Sequence, residues 1–324
     1  MSTFKRDPKK PVYVSANVMG GLGNQLFQIF TAFAYALENN RKLILPYSAG
    51  TAQRPTYWSP GSFLQGFFIF TVGYAPNDCT NQLLRSFPVY TEQEFEYKKI
   101  PDFGENHVFL SGYFQSYKYF DAHIDTILGL LRFSQIRKKV LAETVWFSST
   151  TTTTDRSKTV SIHFRHGDYK NLPDHHPILP YEYYETAFGQ LLESEYAVFK
   201  DTENSKIRVF YFCETEDADV VRHQIRRLQS KFESATRPIQ FIRVGDDHGK
   251  HQKDWEQLVV MSACDAHIIA NSTFSWWGAY LHSKTIEKGS NNSCPVYYPS
   301  QWFGKAYEKN NTIDLFPPDW IKIG

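Results

Sequence analysis

The chain of 324 residues is 42% hydrophobic with 18 Gly and 16 Pro, which excludes a collagen-like or largely disordered polypeptide and allows two domains at roughly 150 residues each. Its 35 Lys and Arg balance 34 Asp and Glu to a formal charge of +1, leaving no global field with which to grip a nucleic acid. Aromatic residues reach 16%, the material of deep cores but also of surfaces that stack on the CH faces of sugars.

Residues 1–11 are polar and basic with no apolar stretch behind them, and the longest apolar runs, such as 67–72, fall far short of the ~20 residues of a membrane span. A soluble, cytoplasmic protein without signal or anchor is therefore expected. Residues 12–18 form a β-rich run that leads into Gly20-Gly21-Leu22-Gly23-Asn24-Gln25. Leu26, Phe27, Phe30, Phe33, Ala34 and Leu37 then recur at helical spacing, with Asn39-Asn40 as the stop. Residues 43–45, ended by Pro46, read as a second strand, so the chain opens on a β-loop-α-β unit. Residues 48–147 are rich in Tyr, Phe and Pro and show no regular period. The uniform Ser/Thr run at 148–154 reads as a linker and divides the chain into domains 1–150 and 151–324.

Beyond it strand and helix alternate. Strands are expected at 159–164, 208–213, 239–244 and 267–270. Helices are expected at 181–192, 255–264 and 274–281, with another carrying Ala218, Val221, Ile225 and Leu228 on one face. Such alternation indicates a doubly wound parallel sheet, which holds ligands at the carboxyl ends of its strands.

Three motifs fall where strands end. The glycines of 20–23 let backbone approach a ligand at a helix start, although a tight βα turn without ligand would use them equally. His163-Phe164-Arg165-His166-Gly167-Asp168-Tyr169 gathers four polar side chains at one strand end. Arg165 offers a planar fork to phosphate, and Asp168 can either accept a proton or hold a neighbouring Arg or His. Asn271-Ser272-Thr273-Phe274-Ser275-Trp276-Trp277 joins a strand to helix-capping residues, a seat for a second phosphate or simple capping beside two packing tryptophans. Glu214, Glu216 and Asp217 suit a ribose or base, or merely the acidic first turn of a helix. Neither Asp174-His175-His176 nor His248 with His251 has a third ligand at recognisable spacing, so no metal is expected. The four cysteines lie far apart and read as reduced core residues.

Taken in order, Gly-Gly-Leu-Gly-Asn-Gln-Leu-Phe-Gln at 20–28, Gly-Tyr-Phe-Gln-Ser-Tyr-Lys-Tyr-Phe at 112–120 and His-Phe-Arg-His-Gly-Asp-Tyr at 163–169 resemble the α1,2-fucosyltransferase family. So do Ile-Ile-Ala-Asn-Ser-Thr-Phe-Ser-Trp-Trp-Gly-Ala-Tyr-Leu at 268–281 and Tyr-Pro-Ser-Gln-Trp-Phe at 298–303, and the likeness covers residues 12–303. The resemblance implies a GT-B-like α/β fold, two Rossmann-type doubly wound domains facing across a cleft, with GDP-fucose held mainly by the second. It implies inverting transfer of L-fucose from GDP-fucose to a galactose 2-hydroxyl of a glycan, with no obligatory metal and no cofactor. By position in the motifs, Arg165, Asp168 and His163 would be catalytic. Gly21, Gly23, Asn24, His166, Ser272, Thr273, Phe274, Ser275 and Glu214 would hold the donor. Tyr57, Trp58, Tyr113 and Gln115, in the aromatic-rich first half, are expected to meet the acceptor.

Two departures matter. Many family members carry a second arginine where this chain has His166, so contact with the diphosphate rests more heavily on Arg165. The segment 213–217 differs from the usual short Ser-Asp-Asp form, which weakens the assignment of its acids to the nucleoside. A transferase for another nucleotide sugar, one fucosylating another position, and a non-catalytic sugar-nucleotide or glycan binder stay open; oligomeric state is not readable.

Overall fold

A computed structural model describes residues 11–46, 56–57, 62–72, 83–144, 158–194, 206–247, 250–251, 253–285 and 294–324. The chain divides into two compact units, one of residues 1–133 with 310–317, the other of 134–309 with 318–324. That division falls between Phe133 and Ser134, ahead of the Ser/Thr run used above to divide 1–150 from 151–324, and the run itself lies outside the described residues.

In the first unit, β1 (Tyr13–Ala16) leads through the glycine loop into α1 (Leu22–Glu38). The helix begins four residues before its first expected apolar position, because Gly20 adopts φ +80° and Gly21 caps the start without a side chain. A Cβ on Gly20 would lie 2.6 Å from the Asn24 side-chain nitrogen, so the turn is closed to larger residues. There follow β2 (Lys42–Leu43), β3 (Leu45–Pro46), β4 (Thr71–Val72), β5 (Val89–Thr91), β6 (Val108–Ser111) and the short helix α2 (Ile124–Leu131). The sheet runs β2-β1-β6-β5, all parallel, and β3 pairs separately with β4.

Helix α1 is buried almost all round, its Gln25, Gln28 and Thr31 included. Its Phe30 lies 6.0 Å from the Phe67 ring and meets Phe120 edge-on at 5.8 Å, while Phe33 meets Phe67 edge-on at 5.3 Å. Much of the aromatic content is therefore core, each buried ring contributing about 1.5–3 kcal/mol. Residues 310–317 complete this unit. Asp314 pairs with Lys118, its carbonyl accepts from Ser116 Oγ at 2.6 Å, and its carboxylate accepts from the Tyr97 amide at 3.2 Å. Beside it Leu315 and Phe316 are buried.

The second unit contains β7 (Lys158–His163), β8 (Ile207–Phe212), β9 (Ile239–Arg243), β12 (Ala266–Ile268), β13 (Val296–Pro299) and β14 (Ile321–Ile323). A small antiparallel pair, β10 (Asp246–Asp247) with β11 (Lys250–His251), lies apart from them. The helices are α3 (Phe133–Glu143), α4 (Tyr181–Glu193), α5 (Ala218–Phe232), α6 (Asp254–Met261) and α7 (Thr273–Thr285). All four strands expected here are present; β13 and β14 extend the sheet beyond them.

The order β14-β13-β12-β7-β8-β9, parallel throughout, is that of a doubly wound sheet built outward from β7 in both directions. Strand β7 is buried from Thr159 to His163, as a central strand covered on both faces must be. The chain reverses its direction of growth between β7 and β12, so the carboxyl ends of these two strands flank the crevice where such sheets bind ligands. The Arg165 and Ser272 motifs follow these two strands.

Candidate functional site

His163 closes β7, and its Nδ1 lies 2.9 Å from Ser275 Oγ in the first turn of α7. This contact locks the end of one strand to the helix that follows the other. Burial, reinforced by the positive Arg165 and by His166, pushes the His163 imidazole down to about 3, so it is neutral at physiological pH. The chain then turns into a one-turn 3₁₀ segment, Gly167–Asn171.

Arg165 is held as a fork. Nη1 donates to Glu214 Oε1 and Nη2 to Asp168 Oδ1, each at 2.6 Å, and the guanidinium carbon stands 5.1 Å from the Tyr169 ring centre. Its side chain is 25% exposed, against 63% for Asp168 and 50% for Glu214. Burial alone would lower its pKa, but the flanking carboxylates outweigh that and raise it, so the cation is fixed in place. Gly167 permits the arrangement. Its φ is +39°, and a Cβ there would lie 3.3 Å from Glu214 Cγ.

The acidic cluster after β8 therefore divides. Glu214 turns to Arg165, Glu216 is exposed, and the buried Asp217 accepts the Gly167 amide at 2.8 Å and pairs with Lys170. Burial would raise the Asp217 pKa, but the Lys170 ammonium and the Gly167 N–H outweigh it and hold the carboxyl below its usual range. His166 is buried with Nε2 lacking a hydrogen-bond partner, and burial lowers its pKa despite the nearby Asp217. Its neutral ring adds no charge beside Arg165.

The approach to α7 is clamped by side chains. Asn271 Nδ2 donates to the carbonyls of Pro177 at 2.9 Å and Trp302 at 3.2 Å, while Tyr169 Oη donates to the Asn271 carbonyl at 3.0 Å. Ser272 is mostly buried; Thr273 and Phe274 are half-buried at the helix start. Trp276 and Trp277 are fully buried packing residues beneath them. His176 stacks on Tyr169 at 4.7 Å and 18°, and His175 meets Tyr307 edge-on at 5.0 Å, so both belong to an aromatic stack. His248 lies outside the described residues.

The first unit presents its own cluster at the carboxyl edge of its sheet. Asn24 Oδ1 accepts from Gln115 Nε2 at 3.0 Å, joining the loop after β1 to the segment after β6, and Gln25 Nε2 donates to the Gly20 carbonyl at 2.8 Å. Gly21 is exposed and Gly23 buried. Tyr113 is 41% exposed, whereas Tyr57, expected at the acceptor, is 5% exposed and displays little of its ring. Phe114, Tyr119 and Phe120 are also core, so Tyr113 is the exposed ring of the 113–120 run. Trp58 lies outside the described residues.

Glu92, which follows β5, has no local signature in the sequence. Its Oε2 accepts two successive amides, Tyr113 at 2.8 Å and Phe114 at 3.0 Å, with Phe114 held at φ +51°. Its Oε1 is buried without a hydrogen-bond partner, and burial raises its pKa in spite of the two amides. The sequence clue is Gly112, where a Cβ would collide with the Glu92 side chain.

A six-stranded parallel sheet with a carboxylate-braced arginine at its switch point, and a second α/β unit, define a protein of GT-B-like α/β fold. Arabidopsis thaliana FUT1, solved as a mutant in complex with GDP, shares that fold at a TM-score of 0.51 and 12% identity, covering 97% of this chain and 76% of that one. The protein belongs to glycosyl transferase family 11, whose model matches residues 8–322, so the fucosyltransferase-family likeness of the five motifs holds. An alpha-1,2-colitosyltransferase of Escherichia coli is 26% identical over 330 residues, 96% of this chain and 98% of that protein. The O-antigen biosynthesis glycosyltransferase WbnK of Escherichia coli is 27% identical over 227 residues, 66% of this chain but only 60% of its own length. No helix among the described residues is long and apolar enough to cross a membrane.

Proposed function

We propose that the protein transfers L-fucose from GDP-fucose to the 2-hydroxyl of a galactose in a glycan, with inversion and without a metal. The observation that carries this reading is the Arg165 guanidinium, fixed by Asp168 and Glu214 at the carboxyl end of β7 and beside the start of α7. The acceptor oxygen attacks the anomeric carbon in line with the departing GDP, through an oxocarbenium-like transition state. Negative charge then gathers on the diphosphate, where Arg165 and the positive end of the α7 dipole meet it. These fixed groups take the part a metal plays in other transferases.

Asp168 already accepts a hydrogen bond from Arg165, which favours positioning of the guanidinium over removal of the acceptor proton. The neutral His163 holds the start of α7 through Ser275. The exposed Tyr113 is the acceptor-side candidate; Gln115 is 8% exposed and holds Asn24, which with Gly21 and Gly23 forms the first unit's candidate donor-contact loop.

A second reading draws on the colitosyltransferase relative: the donor is GDP-colitose, which lacks the 3-hydroxyl of fucose. A donor panel decides between them. The protein is offered GDP-fucose, GDP-colitose and other nucleotide sugars with galactose-terminated oligosaccharides, with and without chelator. Chelator-insensitive turnover of GDP-fucose to a 2-linked product is expected. Faster turnover of GDP-colitose would replace the donor, and tight binding without turnover would make the chain a binding protein.

A further inference from the structure

Three ligand-bearing side chains that the transfer site does not use meet inside the second unit. His267 on β12, His282 in the last turn of α7 and Cys294 just before β13 each place one ligand atom within 4.8 Å of the others. The crossover explains the meeting. Helix α7 runs back along the sheet, so its end returns to the amino edge, where His267 stands in register with Val296, two residues after Cys294.

The second nitrogen of each histidine is oriented by oxygen. His282 Nδ1 lies 3.0 Å from the Ser262 carbonyl, which only accepts, so this nitrogen carries the proton and Nε2 a free lone pair in the neutral ring. His267 Nδ1 lies 2.7 Å from Ser161 Oγ, and its Nε2 is buried without a hydrogen-bond partner. Imidazoles held in this way by a carbonyl or hydroxyl are what metal-binding histidines present.

We propose that His267, His282 and Cys294 bind one zinc ion in a structural site that ties β12, the end of α7 and the start of β13 together. Two imidazoles and a thiolate are a borderline-soft donor set of the kind zinc takes. On binding, zinc replaces the Cys294 thiol proton, which leaves to solvent. The site lies toward the amino end of β12, four residues before Asn271 and hence about 13 Å along the strand from the transfer site at ~3.3 Å per residue. It holds the far end of the helix whose start faces that site, and takes no part in the proposed chemistry.

Elemental analysis of the full chain, with any affinity tag removed and after dialysis into metal-free buffer, is expected to find about one zinc per chain. Cys294→Ser and His282→Gln should fall to background, while His223→Gln, at an exposed histidine of α5, should retain the metal. Cobalt in place of zinc should show thiolate-to-metal charge transfer, lost in Cys294→Ser. Should either variant fail to fold, the wild type decides: stripped with chelator and titrated with zinc ion alone, it should bind one equivalent and gain thermal stability. Failure of that titration, or a folded Cys294→Ser chain that keeps its zinc, would overturn the proposal. Neither result depends on which sugar the enzyme transfers.

Discussion

Replacing Arg165 with alanine separates its contribution to the transition state from its contribution to the fold. The side chain makes two ion pairs, but their carboxylates are 63% and 50% exposed, and pairs so open to water are worth about 0.2–1 kcal/mol each. The contact with Tyr169 adds about 0.5–1 kcal/mol. Loss of all three should therefore cost about 1–3 kcal/mol, a fall of roughly 2–12 °C in melting temperature for a unit of this size. Losing one fixed donor to a developing anion costs about 100- to 1000-fold in kcat. The assay is initial-rate release of GDP from GDP-fucose with a galactose-terminated acceptor, with kcat and KM determined separately beside a melting curve. A large fall in kcat in a folded protein is expected. Arg165→Lys should fall between the two, because a single ammonium cannot reproduce the fork that spans Asp168 and Glu214. A folded Arg165→Ala enzyme that keeps about a tenth of wild-type kcat would refute the assignment.

Asp168→Asn and Glu214→Gln each leave Arg165 one carboxylate, so each alone should cost less activity than the Arg165 change. Together they should cost more than the product of the singles, with a coupling of about 0.5–3 kcal/mol; strictly multiplicative rates would mean that the two do not share the guanidinium. His163 titrates near 6.5 when unfolded and at about 3 when folded, so its contribution to stability is complete above pH 6.5 and is lost as pH falls toward 3, at about 1.4 kcal/mol per pH unit. Denaturant unfolding should show the advantage of wild type over His163→Gln shrinking by about 2 kcal/mol between pH 7.5 and 5, and a constant gap would contradict burial of a neutral ring. Gly278→Ala would set a methyl 2.7 Å from Met261 Cγ where α7 packs on α6, and should destabilise by about 1–3 kcal/mol in a thermal melt. An unchanged melting temperature would mean that this contact is looser than the structure has it.

The second unit was legible because its central strands are buried on both faces and therefore read as apolar runs, each followed by a polar turn or helix start. His163 and Arg165 could be placed at the end of one strand, and Ser275 at the helix start after another, for that reason. The pairing of Arg165 with Glu214 could not, since 49 residues of chain separate them. Strands β5 and β6 are three and four residues long and lie in a Tyr- and Pro-rich stretch, too short for alternation to stand out. Glu92 was invisible because the amides that orient it come from the next strand's exit, 21 and 22 residues later. Aromatic content misled in one respect. Tyr57, Phe114, Tyr119 and Phe120 look like sugar platforms by residue type, yet all four are buried, Phe120 against Phe27 and Phe30 of α1. His267, His282 and Cys294 follow no ligand spacing, since a strand, a helix and a loop between two strands bring them together.

The return of residues 310–317 to the first unit bears on how the protein is made. Asp314, Leu315 and Phe316 fill places beside Ser116, Lys118 and Tyr97 that stay open until nearly all of the second unit has been synthesised. The usual order, in which an amino-terminal domain folds while the rest is still being translated, cannot run to completion here. The first unit must wait, partly finished and with apolar surface uncovered, for a segment that emerges only just ahead of β14, the edge strand of the second sheet. Both units therefore finish at almost the same moment of biosynthesis, and a chain broken off before Asn310 leaves neither of them whole.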